Sequence, residues 1–293
     1  MHPAPSLIVF TSLSGLGFGL LFFLGLGLPE KTGLVAFVLY ALGYGLATAG
    51  LIASTFHLGR PERAIHAFSQ WRSSWLSREA VLAMAALLLM APHAAGAVFF
   101  ATPLPVLGVL GGVLSLVTVF ATAMIYASIR AVPRWNHWTV PFMFLTAALA
   151  GGALLSGNLF WAAWLMLGFG VALILHWALG DLRFEEAGST MGTATGLGRI
   201  GKVRLFAPPH TGDNYLLHEM AYRVGRKHAG RLRAIALGLG AGVPVATLVL
   251  LPAGYLAAGL AVVAHLAGLL ASRWLFYAQA EHVMALYYGR APG

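Results

Sequence analysis

Residues 6–28 read SLIVFTSLSGLGFGLLFFLGLGL, a run with no charged side chain. A helix needs about 20 apolar residues to cross the hydrocarbon core of a bilayer. Seven further stretches of this kind follow, at 33–56, 80–101, 104–128, 139–156, 159–180, 234–252 and 255–275. None alternates polar with apolar residues as a barrel strand would. Composition agrees: 59% of the 293 residues are hydrophobic, 9% are charged, and the mean hydropathy is +0.80. Soluble domains carry about 25% charge. The expected fold class is therefore an all-α integral membrane protein, a bundle of eight transmembrane helices forming one membrane domain over 1–293. The Met-His-Pro-Ala-Pro-Ser start lacks a basic leader region, so the first stretch is expected to stay as a span. The chain has no cysteine, which excludes disulfides, thiolate zinc and any iron–sulfur cluster held by this chain.

Charge is sorted by end. With eight spans, the segments 57–79, 129–138 and 181–233 and the C-terminus share one end with the N-terminus, here the loop end. The opposite, turn end has four short connections, near 29–32, 102–103, 157–158 and 253. Of 18 Lys and Arg residues, only Lys31 falls at the turn end, and of nine Asp and Glu residues only Glu30 does. The positive-inside rule makes the loop end cytoplasmic, with both termini inside. The turn end reads as a row of tight hairpins with little to bind anything. Gly15, Gly17, Gly19, Gly25 and Gly27 in the first span, and Gly43, Gly45 and Gly50 in the second, read as close-packing positions. No internal repeat or broken, charged helix points to a secondary transporter, and no acid lies deep in a span as a pump would need.

The loop end carries four motifs. The first is His57-Leu-Gly-Arg60-Pro-Glu-Arg63-Ala, followed by Trp71-Arg-Ser-Ser-Trp75-Leu-Ser77-Arg78-Glu79. Ser77 is a candidate cap for the third span, with Arg78 and Glu79 in its first turn. Snorkelling arginines and an aromatic belt account for the Trp and Arg residues. They do not account for a His and a Glu at the two membrane exits of one loop, a pair able to hold a polar headgroup and exchange protons with it. The second motif runs Tyr126-Ala-Ser-Ile-Arg130-Ala-Val-Pro-Arg134-Trp135-Asn-His137-Trp138. The third is the long loop 181–233. Its Gly196-Leu-Gly-Arg-Ile-Gly201 fits a dinucleotide fingerprint by letter, but no strand precedes it, so a turn is expected. Pro208-Pro-His210-Thr-Gly-Asp-Asn214-Tyr215 then leads into a basic helix at 216–233, and the stretch reads as a protein-docking surface. The fourth is Arg273-Trp-Leu-Phe-Tyr-Ala-Gln-Ala-Glu-His282.

Taken together, the segments HLGRPERA, SSWLSRE, YASIRAVPRW and RWLFYAQAEH, with the MHPAPSLIVFT start, resemble the membrane anchor subunit of dimethyl sulfoxide reductase-type molybdoenzymes. The long loop is similar to the branch that serves cytoplasmic sulfite dehydrogenase. The resemblance implies a complex in the bacterial inner membrane whose partners, a four-cluster iron–sulfur subunit and a molybdopterin catalytic subunit, dock on the cytoplasmic face. This chain then carries no cluster or molybdopterin itself. It would exchange electrons with ubiquinone or menaquinone, usually without haem, while the complex oxidises sulfite to sulfate. On that reading His57 hydrogen-bonds a quinone oxygen, as the matching His of the family implies. Glu79 relays protons and Arg60 orients the headgroup, with Tyr126, Trp135 and His282 as further candidates. Arg63, Arg78, Arg130, Arg134, Lys202, Arg204, His210, Asn214 and Tyr215 are the docking candidates, and no residue is assigned to a metal. One alternative is the anchor of a dimethyl sulfoxide or other S- or N-oxide reductase, which oxidises quinol. Another is a cytochrome b-type anchor, pairing His176 with another axial His such as His57 or His282.

Overall fold

The computed structural model describes residues 1–57, 60–207, 228–252 and 254–288. All regular structure among them is helical. Seven helices are long and apolar enough to cross a membrane: α1 (Pro5–Gly25), α2 (Gly33–Ala53, extended by a 3-10 turn through Phe56), α3 (Trp75–Phe99), α4 (Pro105–Ala127), α6 (Leu159–Gly180), α9 (Ala229–Leu250) and α10 (Tyr255–Ala278). Another apolar helix, α5 (Thr139–Leu155), has 17 residues. Two short helices, α7 (Arg183–Glu186) and α8 (Met191–Thr195), lie in the long loop. Exposed Leu, Val, Phe and Trp side chains ring the outside, as lipid-facing surface requires.

Helix α1 is the central element, packed against α2, α4, α5 and α10. Its glycines explain how. A Cβ at Gly19 would strike the backbone of Ala148, and one at Gly152 would strike the backbone of Gly19, so α1 and α5 cross at backbone contact. Gly17 and Gly50 do the same for α1 against α2. Gly15, Gly27 and Gly45 face open space, so only part of the glycine pattern is a packing surface. Gly152→Ala is expected to cost about 1–3 kcal/mol by overpacking, whereas Gly45→Ala should be silent. Thermal unfolding of the two variants in detergent checks this, and equal behaviour would refute the crossing.

Three local expectations are corrected. Helix α3 begins at Trp75 with Ser74 as N-cap, so Ser77 lies inside the first turn, buried, and caps nothing. Arg78 holds that start in place, donating to the carbonyls of Trp71 and Arg72 at 3.0 and 2.7 Å. Helix α9 starts at Ala229, earlier than 234, so Arg231 and Arg233 belong to its first turns. The rest of the basic helix, 216–227, lies outside the described residues. The Gly196–Gly201 segment is the end of α8: Gly196 caps it in the left-handed region at φ 71°, which glycine adopts without strain. Helix α9 also contains a π-turn over Gly238–Gly242. That turn presents the Gly240 carbonyl to His265 Nδ1 at 2.8 Å.

Candidate functional site

Six helices bring polar side chains together inside the loop end. Glu79 comes from the first turns of α3 and is only 4% exposed. Thr122 of α4 donates its hydroxyl to the Glu79 carboxylate. One turn further along α4, the Tyr126 hydroxyl is 2.7 Å from that of Tyr277 on α10. The Tyr277 hydroxyl also lies 3.5 Å from the Leu7 carbonyl of α1, which accepts from Thr11 at 2.9 Å. A hydroxyl both donates and accepts, so this is a continuous polar seam from α3 to α1.

An aromatic wall surrounds the seam. Trp135 stacks on Phe276 with centroids 5.2 Å apart and donates its indole N–H to the Phe276 carbonyl at 3.0 Å. Tyr126 meets Trp135 and Phe276 edge-on at 5.3 and 5.2 Å. Arg273 of α10 lies behind this wall, 1% exposed, with its guanidinium carbon 3.6 Å from the centre of the Phe144 ring. Its Nε and Nη1 have no hydrogen-bond partner among the described residues. The sequence alone puts this arginine at the membrane surface with the other loop-end cations; the structure turns it inward. A buried, unpaired guanidinium costs several kcal/mol, and a desolvated cation–π contact returns about 2 kcal/mol. On α6, His176 faces Thr139 at 3.1 Å, and Thr139 also meets His137 at 3.0 Å. His176 Nδ1 is thus engaged with Thr139 and His265 Nδ1 with Gly240, on different helices.

The candidate residues divide clearly. Glu79, Tyr126 and Trp135 come together within the bundle. His282 sits just past α10, partly buried, and accepts the Met284 N–H at 3.0 Å. Burial and the nearby N-terminal ammonium hold its pKa below the ordinary histidine value. Arg60 is exposed at the entrance to the Pro61–Phe68 turn. His57 closes the turn after α2; its side chain and that of Arg63 lie outside the described residues. So do His210, Asn214 and Tyr215. Arg130, Lys202 and Arg204 are exposed, as docking cations must be. Arg78 is occupied by its loop carbonyls and lies 4.4 Å from the Trp75 ring. Arg134 is occupied by Asp181.

Asp181, just beyond α6, is clamped by Arg134 at 2.6 Å and Arg233 at 2.7 Å. Burial alone would raise its carboxyl, but hydrogen bonds and charge from Arg233 and Arg134 outweigh this and hold it at about 2. Its ordinary value is 3.8, so the clamp stabilises the fold fully above that pH and loses its contribution as pH falls toward 2. The pair is partly solvated, so Asp181→Asn should cost no more than about 1 kcal/mol near neutrality. Thermal midpoints of the variant and the parent are expected to converge as pH falls from about 4 to about 2; a pH-independent gap would contradict the clamp.

Arg273, Tyr277, Thr122 and Thr139 are the members of this cluster that motif reading did not supply. Each sits on a uniformly apolar helix, where neighbours on the chain reveal nothing about which way the side chain turns.

A profile of the DMSO reductase anchor subunit (DmsC) family matches residues 1–175. The chain is also 33% identical to the anchor-like C component of the sulfite dehydrogenase of Allochromatium vinosum, across 98% of this chain and 99% of that protein. No solved structure matches.

Proposed function

We propose that this chain, which belongs to the DMSO reductase anchor subunit family, is the quinone-reactive membrane anchor of a molybdoenzyme that oxidises sulfite. The observation that carries this reading is a buried acid, Glu79, built into a hydroxyl seam and an aromatic wall at the elaborated end of a membrane bundle. The sulfite branch rests on likeness to the sulfite dehydrogenase component along nearly its whole length.

In this reading α5 is an eighth crossing. Its 17 residues rise about 25 Å, and the turns that flank it complete the hydrocarbon depth. Both termini and the loop end then face the bacterial cytoplasm, as the arginine distribution requires. The iron–sulfur subunit, with the molybdopterin subunit on it, docks there on Arg130, Lys202, Arg204 and the 208–227 segment.

Ubiquinone or menaquinone, when bound, takes up two electrons and two protons. Its ring and carbonyl oxygens call for apolar walls and hydrogen-bond donors. Trp135, Phe144 and Phe276 are walls of that kind, and the Tyr126 hydroxyl and the two unpartnered N–H groups of Arg273 are such donors. Glu79 holds the proton to be delivered, and the Thr122 hydroxyl fixes the carboxylate oxygen. The wall excludes water, so protons move along the seam rather than through solvent. His57 and Arg60 serve the mouth of the site. Protons drawn from the loop end come from the same side as the electrons, so turnover builds no gradient.

The match to the DmsC profile favours a second reading, in which the complex oxidises quinol and reduces an S-oxide. The purified complex decides between them. Sulfite-dependent reduction of a soluble quinone analogue is expected. Quinol-dependent reduction of dimethyl sulfoxide with no response to sulfite would overturn the sulfite reading, and absence of both activities would overturn the quinone role.

A further inference from the structure

The turn end, which the sequence reads as bare hairpins, contains a cavity of about 200 Å³ among the ends of α1–α4. Glu30 and Lys31 both line it, and they are the only charged residues that the sequence places at this end. So do two buried polar side chains, Tyr40 at 7% and His93 at 4% exposure. Leu24 and Val109 supply apolar wall.

The hydrogen bonding of the two buried groups is incomplete in a specific way. His93 Nδ1 lies 2.9 Å from the Leu104 carbonyl, which only accepts, so Nδ1 carries the ring proton. In the neutral ring Nε2 then bears a lone pair, yet it faces another acceptor, the Leu24 carbonyl, at 3.4 Å. Nε2 therefore requires an N–H or O–H donor. The Tyr40 hydroxyl also reaches only that Leu24 carbonyl, at 3.4 Å, and the same oxygen already takes the Gly27 N–H at 3.0 Å. Tyr40 therefore has a donor to spare for a better oxygen.

We propose that this cavity binds the phosphoethanolamine headgroup of a membrane lipid from the leaflet at the turn end. One small headgroup then meets all four residues. Its ammonium donates to Glu30 and to His93 Nε2, and its phosphate accepts from Lys31 and Tyr40, as charge-assisted hydrogen bonds. A trimethylammonium group has no N–H to give, and a glycerol headgroup has no positive charge for Glu30. Exposed Leu28, Leu34 and Val106 alternate along the chain with the lining residues and offer the acyl chains an apolar surface.

The test is native mass spectrometry of the complex extracted from nanodiscs containing phosphatidylethanolamine and phosphatidylcholine in equal amounts. Retention of phosphatidylethanolamine is expected to exceed that of phosphatidylcholine about tenfold, a difference of about 1.4 kcal/mol. The exposed-site double variant Glu30→Gln with Lys31→Gln should abolish that preference without disturbing the fold, and His93→Phe should reduce it. Equal retention of the two lipids, or a preference unchanged in the double variant, overturns the proposal. Soluble phosphoethanolamine binding as tightly as the lipid would overturn the lipid source. Displacement of the lipid by a quinone analogue would make the cavity a quinone pocket instead.

Discussion

Glu79→Gln is expected to slow quinone reduction by the assembled complex by about 100-fold or more, with the amount of membrane-bound complex unchanged. The substitution isolates proton chemistry from packing. The glutamine amide has the size of the carboxyl, and its carbonyl still accepts the Thr122 hydroxyl that holds Glu79. What it lacks is a proton to release and take back. Because the group is buried, water does not substitute for it. Steady-state reduction of a soluble quinone, set beside reduction of a dye that draws electrons directly from the catalytic subunit, separates the two halves of the path. The dye reaction should be untouched. If quinone reduction in the variant stays within about threefold of the parent, the acid lies off the path and the assignment falls, since a real general acid is worth at least about 100-fold.

Arg273→Met should have opposite effects on stability and turnover. Met approximates the length of the side chain and fills its space against Phe144, while removing a cation with two unpartnered N–H groups from the interior. Replacing buried charge with well-packed apolar side chains is commonly worth about 1–4 kcal/mol of added stability. The lost cation–π contact offsets about 2 kcal/mol of that, so a modest rise in thermal midpoint is expected. Arg273→Ala instead leaves a void and should lower stability by about 2–5 kcal/mol. Quinone-linked turnover should fall in both, because both remove the interior donors, and Arg273→Lys should restore part of it. Should Met prove as damaging to stability as Ala, the guanidinium is a structural keystone rather than an expense kept for chemistry.

The spans were legible because crossing a bilayer demands long uncharged runs, and such runs are visible one residue at a time. Their starts were less so. Helix α3 begins at Trp75 because Arg78 satisfies the loop carbonyls before it, a contact no hydropathy window contains. Glu79, Tyr126 and Trp135 were legible as polar and aromatic residues gathered at membrane exits. Arg273 and His93 were not. In a soluble helix an apolar stripe marks the inward face; in a membrane helix the outward face is apolar too, so the sequence does not say which side chains turn inward. An arginine five residues from a helix end then defaults to snorkelling outward. Only the packing of α5 and α10 shows that it does not.

The π-turn at Gly238–Gly242 gives α9 one residue more than an α-helix of the same rise would use. Each residue of an α-helix advances the side chains by about 100°. Loss of a single residue from that turn would leave the loop-end half of α9 in register, with Arg233 still beside Asp181. The half from Val243 to Leu250 would rotate by about that angle, exchanging lipid-facing side chains for buried ones. The helix thus has two independently phased halves joined at a glycine-rich coupling, and His265 reads the coupling itself through the Gly240 carbonyl.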